Sequence, residues 1–201
     1  MAEPRRIVLA TRNRGKLREL AKLLEGVDVV LLTADEVDAP DVEETGATFE
    51  ENAELKATEI ARACGLLAIA DDSGLEVPDL GGEPGVRSAR YSPEGTDAAN
   101  NRKLRAEMGR LGLTRPLARF VCAMCLADPD GVVATVRGEV EGNLLAEPRG
   151  ENGFGYDPLF FQADLGKTFA EASAEEKHGV SHRGKALRKL VEHLMARIVD
   201  A

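Results

Sequence analysis

"RRIVLATRNRGKLRELAKLLEGVDVVLLT", residues 5–33, is the stretch that sets the fold class. An apolar run through Ala10 reads as a buried strand. Leu17, Leu20, Ala21 and Leu24 then recur at helical spacing behind Asn13, a helix-capping residue, and Gly26 closes the helix. "VDVVLLT" returns as a second β-rich run. Strand, turn, helix and strand in that order predict an α/β layer with parallel or mixed pairing. The first strand therefore runs into a helix N-terminus, where backbone N–H groups and the helix dipole favour an anion. "ATRNRGK" places Thr11, Asn13 and Lys16 around that turn. The plain alternative is that Asn13 only caps the helix and Lys16 is solvated. The stretch is not a Walker motif.

The pattern continues outward. Thr48 and Glu51 have capping-box spacing before "EENAELKATEIARAC", Gly65 can end that helix, and "LLAIA" reads as a short buried strand. "DDSG" follows at once, a cluster of turn formers that places Asp71 and Asp72 at the strand's C-terminal end. Ligands of open α/β sheets collect outside such ends. Thr96 opens a helix through Met108, and "ARFVCAMCLADPDGVVATVRGEV" reads as two strands joined at "DPDG". Ser173 with Glu176 forms another capping box. Ser181 precedes a last helix with Leu187, Leu190, Val191, Leu194 and Ile198 on one stripe.

The chain has 201 residues, 43% hydrophobic and 30% charged, with no repeat and no Pro/Ser-rich tract. One globular domain is expected throughout, large enough for two lobes around a cleft. The net charge of −9 argues against a nucleic-acid polymer as ligand, because such binding rests on a basic face. A small anion with a metal fits that charge. No apolar run is long enough for a signal-peptide core or a membrane span, so a cytoplasmic protein without membrane contact is expected. Cys64, Cys122 and Cys125 imply no disulfide framework. "CAMC" sits in a predicted strand, where positions three apart face opposite ways, so it reads as core rather than a metal or redox motif.

Hard oxygen ligands come in two clusters: Glu43 and Glu44 in "VEETG", and Asp71 and Asp72 in "ADDSG". Mg²⁺ takes one or two carboxylates and completes its shell with waters and phosphates, so both clusters suit a phosphate turn. Charge near a helix start and an Asx-turn are the respective plain readings. "GENGFGYDPLF" sets Phe154, Tyr156 and Asp157 among glycines in a chain with six Phe, two Tyr and no Trp. An aromatic face beside flexible backbone suits a nucleobase, and the alternative is a Gly-rich turn with Phe154 in the core. "EKHGVSHRGKAL" concentrates the donors Lys177, His178, His182, Arg183 and Lys185 in an otherwise acidic chain.

"ATRNRGK", "EETG", "ADDSGLEV", "GGEPGVRSARY", "GFGYDPLF" and "SHRGKAL", in this order and spacing, closely resemble the inosine/xanthosine triphosphate pyrophosphatase (dITP/XTP diphosphatase) family over nearly the whole chain. The resemblance implies an α/β fold: an elongated mixed sheet flanked by helices, with two lobes around a central substrate cleft, usually homodimeric. It implies Mg²⁺-dependent hydrolysis of ITP, dITP and XTP to the monophosphate and pyrophosphate. Carried over by position, Thr11, Arg12, Asn13, Arg14, Gly15, Lys16 and Lys56 meet the triphosphate. Glu43 and Asp72 hold the metal, Asp72 accepts the proton, and Ser73 touches substrate. Phe154, Gly155, Tyr156 and Asp157, with Lys177, His182 and Arg183, form the nucleoside and base pocket. Arg90 and Asp71 support them. Arg12 stands where many members carry glycine.

Base selection then needs a donor toward O6 of hypoxanthine or xanthine, a role open to Arg183 and to helix-start N–H groups. A Maf-like pyrophosphatase acting on other altered nucleotides, and a nucleotide sensor without turnover, are the competing readings. Retention of both Asp72 and Glu43 argues against the sensor.

Overall fold

The computed structural model describes residues 5–199, apart from the side chains of Leu23, Ile198 and Val199. Its elements run β1 (Arg5–Leu9), α1 (Arg14–Leu23), β2 (Val29–Thr33), α2 (Phe49–Cys64), β3 (Leu67–Glu76), α3 (Asp97–Arg110), β4 (Leu117–Asp128), β5 (Gly131–Leu144), β6 (Phe160–Gln162), β7 (Lys167–Thr168), α4 (Ala174–Val180) and α5 (His182–Val199). The strands form one sheet in the order β2-β1-β3-β4-β5-β6-β7. β1 pairs in parallel with β2 and β3, whereas β5–β6 and β6–β7 are antiparallel, so the sheet is mixed.

The local signals act as physical chemistry requires. The Asn13 side chain accepts from the N–H groups of Gly15 and Lys16, closing the open end of α1. Thr48 and Glu51 form a reciprocal capping box on α2, and Gly65 ends that helix in the left-handed region at φ 66°. Ser173 and Glu176 cap α4 in the same way. The "DPDG" turn is held by Asp128, whose Oδ1 accepts from the N–H groups of Asp130 and Gly131. Cys122 and Cys125 are buried on β4.

The extent of β3 departs from expectation. β3 does not stop at Ala70; it runs through "DDSGLE" to Glu76. The aspartates are strand residues, and no turn follows them. Turn propensity is overridden because both carboxylates find partners from helices on the two faces of the strand, so neither needs to fold back on its own backbone. The partner strand β1 ends sooner: its register with β3 covers Ile7↔Leu67 to Leu9↔Ile69.

The described residues divide into two compact units: 5–72, 122–138 and 183–199 in the first, 73–121 and 139–182 in the second. β3, β4 and β5 supply residues to both. In the first unit, Ile7, Leu9, Leu67 and Ile69 of the sheet cluster with Leu20 and Leu24 of α1 and Leu187, Leu190 and Leu194 of α5. The expected stripe on α5 is thus its core face; Ile198 lies outside the described side chains. Ala21, expected on the inner face of α1, is exposed. In the second unit, Phe120, Phe160 and Phe169 pack ring on ring with centroids 4.6, 5.9 and 5.0 Å apart, joined by Leu75, Tyr91, Leu104 and Tyr156.

Candidate active site

Neighbouring residues of a strand face opposite ways, and in the first unit this separates the two aspartates. Asp71 continues the face of Leu67 and Ile69. There Lys16 Nζ of α1 lies 3.0 Å from its Oδ2, and the Arg183 guanidinium of α5 lies 3.2 Å from the same oxygen. Arg183 also pairs with Glu19 of α1. Asp72 continues the face of Ala68 and Ala70, toward α2. Asn52 Nδ2 donates to its Oδ2 at 2.9 Å, while Asn52 Oδ1 accepts from Gly46 N–H at 2.8 Å. One turn further along α2, Lys56 Nζ reaches Glu44 Oε1 at 2.8 Å and the Asp71 carbonyl oxygen at 2.7 Å. Asn52 and Lys56 sit at i and i+4 and so share a helix face.

The surroundings push the two carboxyl groups apart. Burial alone would raise Asp71, but the positive charges of Lys16, Arg183 and Lys56 outweigh it and hold its pKa well below the ordinary range. Asp72 moves the other way: burial raises it, Glu44 adds repulsion, and Lys56, Lys16 and Asn52 only partly offset this. Lys56 is held above its ordinary value, since burial is outweighed by Asp71, Asp72 and Glu44. Asp71 is thus a fixed anion inside a cation cluster, and Asp72 is the more basic carboxylate. A pair of titratable groups driven apart by environment marks the assignment of acid and base roles.

Among the described residues no cluster of three or more His, Cys, Asp or Glu side chains is arranged to chelate an ion. The chain offers instead the hard-oxygen pair Asp72 and Glu44, which repel one another. That donor set fits Mg²⁺, which needs only one or two carboxylates. Glu43, the expected metal ligand, is exposed, and Glu44 is the glutamate turned toward Lys56. Arg12, expected at the triphosphate, meets an acidic segment. Its guanidinium bonds Asp35 at 2.8 Å, Asp41 and the Ala39 carbonyl oxygen at 2.8 Å, fastening the 35–41 segment. Arg14 is exposed at the start of α1. Thr11 Oγ1 accepts from Asn13 N–H at 3.2 Å, and the amides of Gly15 and Lys16 donate to the Asn13 side chain, so Asn13 caps α1.

In the second unit, the aromatic loop is built around Asp157. Its Oδ2 accepts from Phe154 N–H at 2.9 Å and pairs with Lys177 Nζ at 2.7 Å. Lys177 Nζ stands 5.0 Å from the Phe154 ring centroid. Gly153 has φ +76°, and a Cβ there would come within 2.0 Å of Asp157 Oδ2, so only glycine permits this close approach. Tyr156 is buried and donates through its hydroxyl to the Ser88 carbonyl oxygen at 2.8 Å, so it anchors the loop. His182 lies flat against Phe120, centroids 4.8 Å apart at 11°. Ser73 is half-buried on β3 and Arg90 exposed.

Arg183, expected at the base, has partners within the first unit. At 1% exposure, with its guanidinium on Asp71 and Glu19, it serves the aspartate cluster of the first unit. Sequence reading passed over Asn52 and Glu19. The available signal for Asn52 was a polar residue on the apolar stripe of α2, between Phe49, Ala53 and Lys56.

Residues 7–193 match the model of the Ham1 family. The chain is 54% identical to the dITP/XTP pyrophosphatase of Thermus thermophilus over 93% of its own length and 90% of that protein's. It is 51% identical to that of Geobacter sulfurreducens, over 94% and 96% respectively. Among solved structures, a HAM1 protein from Coxiella burnetii is 39% identical with a TM-score of 0.87, covering 96% of this chain and 99% of that one. A nucleoside-triphosphatase / dITP/XTP pyrophosphatase from Mycobacterium abscessus is 44% identical with a TM-score of 0.73, covering 92% and 98%. Matched by the family model over residues 7–193 and by relatives 51–54% identical along almost the full length, the chain belongs to the Ham1 family.

Proposed function

We propose that this protein hydrolyses the non-canonical purine nucleoside triphosphates ITP, dITP and XTP to the monophosphate and pyrophosphate, clearing them from the nucleotide pool. The observation that carries the reading is the division of adjacent carboxylates between two faces of β3, Asp71 among the cations Lys16 and Arg183, and Asp72 against Asn52 of α2. The relatives named for this activity cover the same length of chain.

Thr11, Lys16 and Lys56 take the triphosphate, both lysines being already placed by carboxylate partners. Mg²⁺ would be held by Asp72 with Glu43 or its neighbour Glu44 and would supply charge neutralisation on the phosphate oxygens. Asp72 accepts a proton from water as the water oxygen bonds to the α-phosphorus and the bond to the bridging oxygen breaks, releasing pyrophosphate. The Asn52 bond to Oδ2 orients the carboxylate for this work. Phe154 faces the nucleobase, and Lys177 and Asp157 set its ring. Donors toward O6 come from His182 and the amides opening α5, since the Arg183 guanidinium is engaged elsewhere. Polar groups left unpaired by a wrong base can cost it about 10⁴ to 10⁵ in selectivity. A cytoplasmic homodimer is part of this reading; among the described residues no helix is long and apolar enough to cross a membrane.

The deciding experiment is a nucleotide panel with Mg²⁺ that scores pyrophosphate against phosphate. ITP, dITP or XTP should be cleaved to pyrophosphate much faster than ATP or GTP. Equal rates on ATP, or phosphate as first product, would refute the reading.

A further inference from the structure

Gly155 sits at the centre of the aromatic loop with φ +61°, although a Cβ there would meet nothing within 4 Å. Glycine is therefore needed for backbone conformation and not for room. Two side chains of α3 hold that conformation. Asp97 Oδ2 accepts from Gly155 N–H at 2.7 Å, and Asn101 Nδ2 donates to the Gly155 carbonyl oxygen at 2.8 Å. The two lie at i and i+4 on one face of the helix. The N–H and C=O of Gly155 belong to successive peptide planes, so this pair fixes both planes flanking the left-handed residue.

The hold has consequences on either side. Phe154 precedes Gly155, with its ring beside Lys177, and Tyr156 follows it, with its hydroxyl on Ser88. The residue between Asp97 and Asn101 that faces inward, Asn100, secures the Ser88 segment: its Nδ2 donates to the carbonyl oxygens of Ser88 and Ala89 at 3.3 and 3.1 Å. Among the described residues, Asn101 Oδ1 is buried without a hydrogen-bond partner. A buried polar atom without a partner disfavours folding, so stability by itself gives no reason for asparagine at this position, whereas its bond to Gly155 does.

We propose that Asp97 and Asn101 are positioning residues that clamp Gly155 and thereby set Phe154 for selection of the purine base. The proposal rests on the function proposed above. It is distinct from the ordinary part an acidic residue plays in the first turn of a helix, where charge alone matters. Asp97→Asn keeps an oxygen acceptor for Gly155 N–H and loses the charge; Asp97→Ala loses both. Asn101→Asp keeps the size and removes the donor.

The first measurement is amide exchange at Gly155 in the unliganded protein, which is independent of any substrate. Exchange should be roughly tenfold faster in Asp97→Ala than in wild type or Asp97→Asn, as expected for one lost hydrogen bond. Equal exchange in all three overturns the clamp. The second is steady-state turnover of ITP and GTP, with Arg110→Ala on the same helix as control. Asp97→Ala and Asn101→Asp should raise KM for ITP by roughly tenfold and lower the preference for ITP over GTP, with kcat largely kept. Asp97→Asn should restore wild-type values. A drop in thermal midpoint with unchanged KM and preference, or Asp97→Asn as impaired as Asp97→Ala, overturns the positioning role. Wild type inactive on ITP would instead defeat the proposed function, and the exchange result would still stand or fall by itself.

Discussion

At the scale of the residue, Asp71 and Asp72 differ by where strand geometry sends them. Asp72→Asn keeps the size, removes the basic oxygen and should lower kcat by about 10² to 10⁴, the usual contribution of a general base. The fold should survive, because Asn52 can bond the new amide oxygen as it bonds Oδ2. Steady-state kinetics with Mg²⁺ and ITP checks this, and near-normal turnover would exclude Asp72 as proton acceptor. Asp71→Asn is not silent either. It strips a partner from Lys16 and another from the buried Arg183, a change that costs about 3 to 5 kcal/mol when a buried pair is broken. Chemical denaturation should show that loss. The same residue has a pH signature. Its folded pKa is depressed, so its contribution is complete above the ordinary value of 3.8 and disappears as pH falls through the depressed one. The thermal midpoint of wild type should fall on acidification below that value, and the Asp71→Asn midpoint should fall less.

At the scale of the element, α2 is what brings Asn52 and Lys56 to β3. Its start is set by Thr48, so Thr48→Ala should cost about 1 kcal/mol in urea unfolding. Asn52→Leu goes further. It takes the Asn52 acceptor from Gly46 N–H and the Asn52 donor from Asp72, at about 1 to 3 kcal/mol for the buried bonds left unmade. Turnover should drop with it, because Asp72 loses the bond that orients it. A variant with full activity and full stability would remove Asn52 from the site. β3 teaches the complementary point: an element's extent is decided by its neighbours. "DDSG" carries strong turn propensity, yet the strand continues because Lys16 and Arg183 meet one aspartate and Asn52 the other.

At the scale of the whole molecule, an acidic chain collects its cations where they matter. Against a net charge of −9, Lys16, Lys56 and Arg183 gather at Asp71 in the first unit. Removal of divalent metal by a chelator should abolish pyrophosphate release from ITP, and added Mg²⁺ should restore it. Activity unaffected by chelation would exclude the metal. Light scattering should give twice the 21.6 kDa chain mass if the proposed homodimer forms; a monomer mass at all working concentrations would refute it.

The sequence by itself determined the class of fold, because the switch from strand to helical periodicity, the Asn13, Thr48 and Ser173 caps and the Gly65 stop are all written within a few residues of where they act. It also marked most of the residues now assigned to the site, since their motifs are short and contiguous. Only the tertiary structure decided which glutamate turns to Lys56, that Arg183 pairs with Asp71, and that Asn52 meets Asp72 and the Asp97–Asn101 pair meets Gly155. Those are partnerships across long separations in the chain. Local propensity carries no information about them, because they exist only once helix faces and strand faces have been packed together and each buried polar group has to find its partner there.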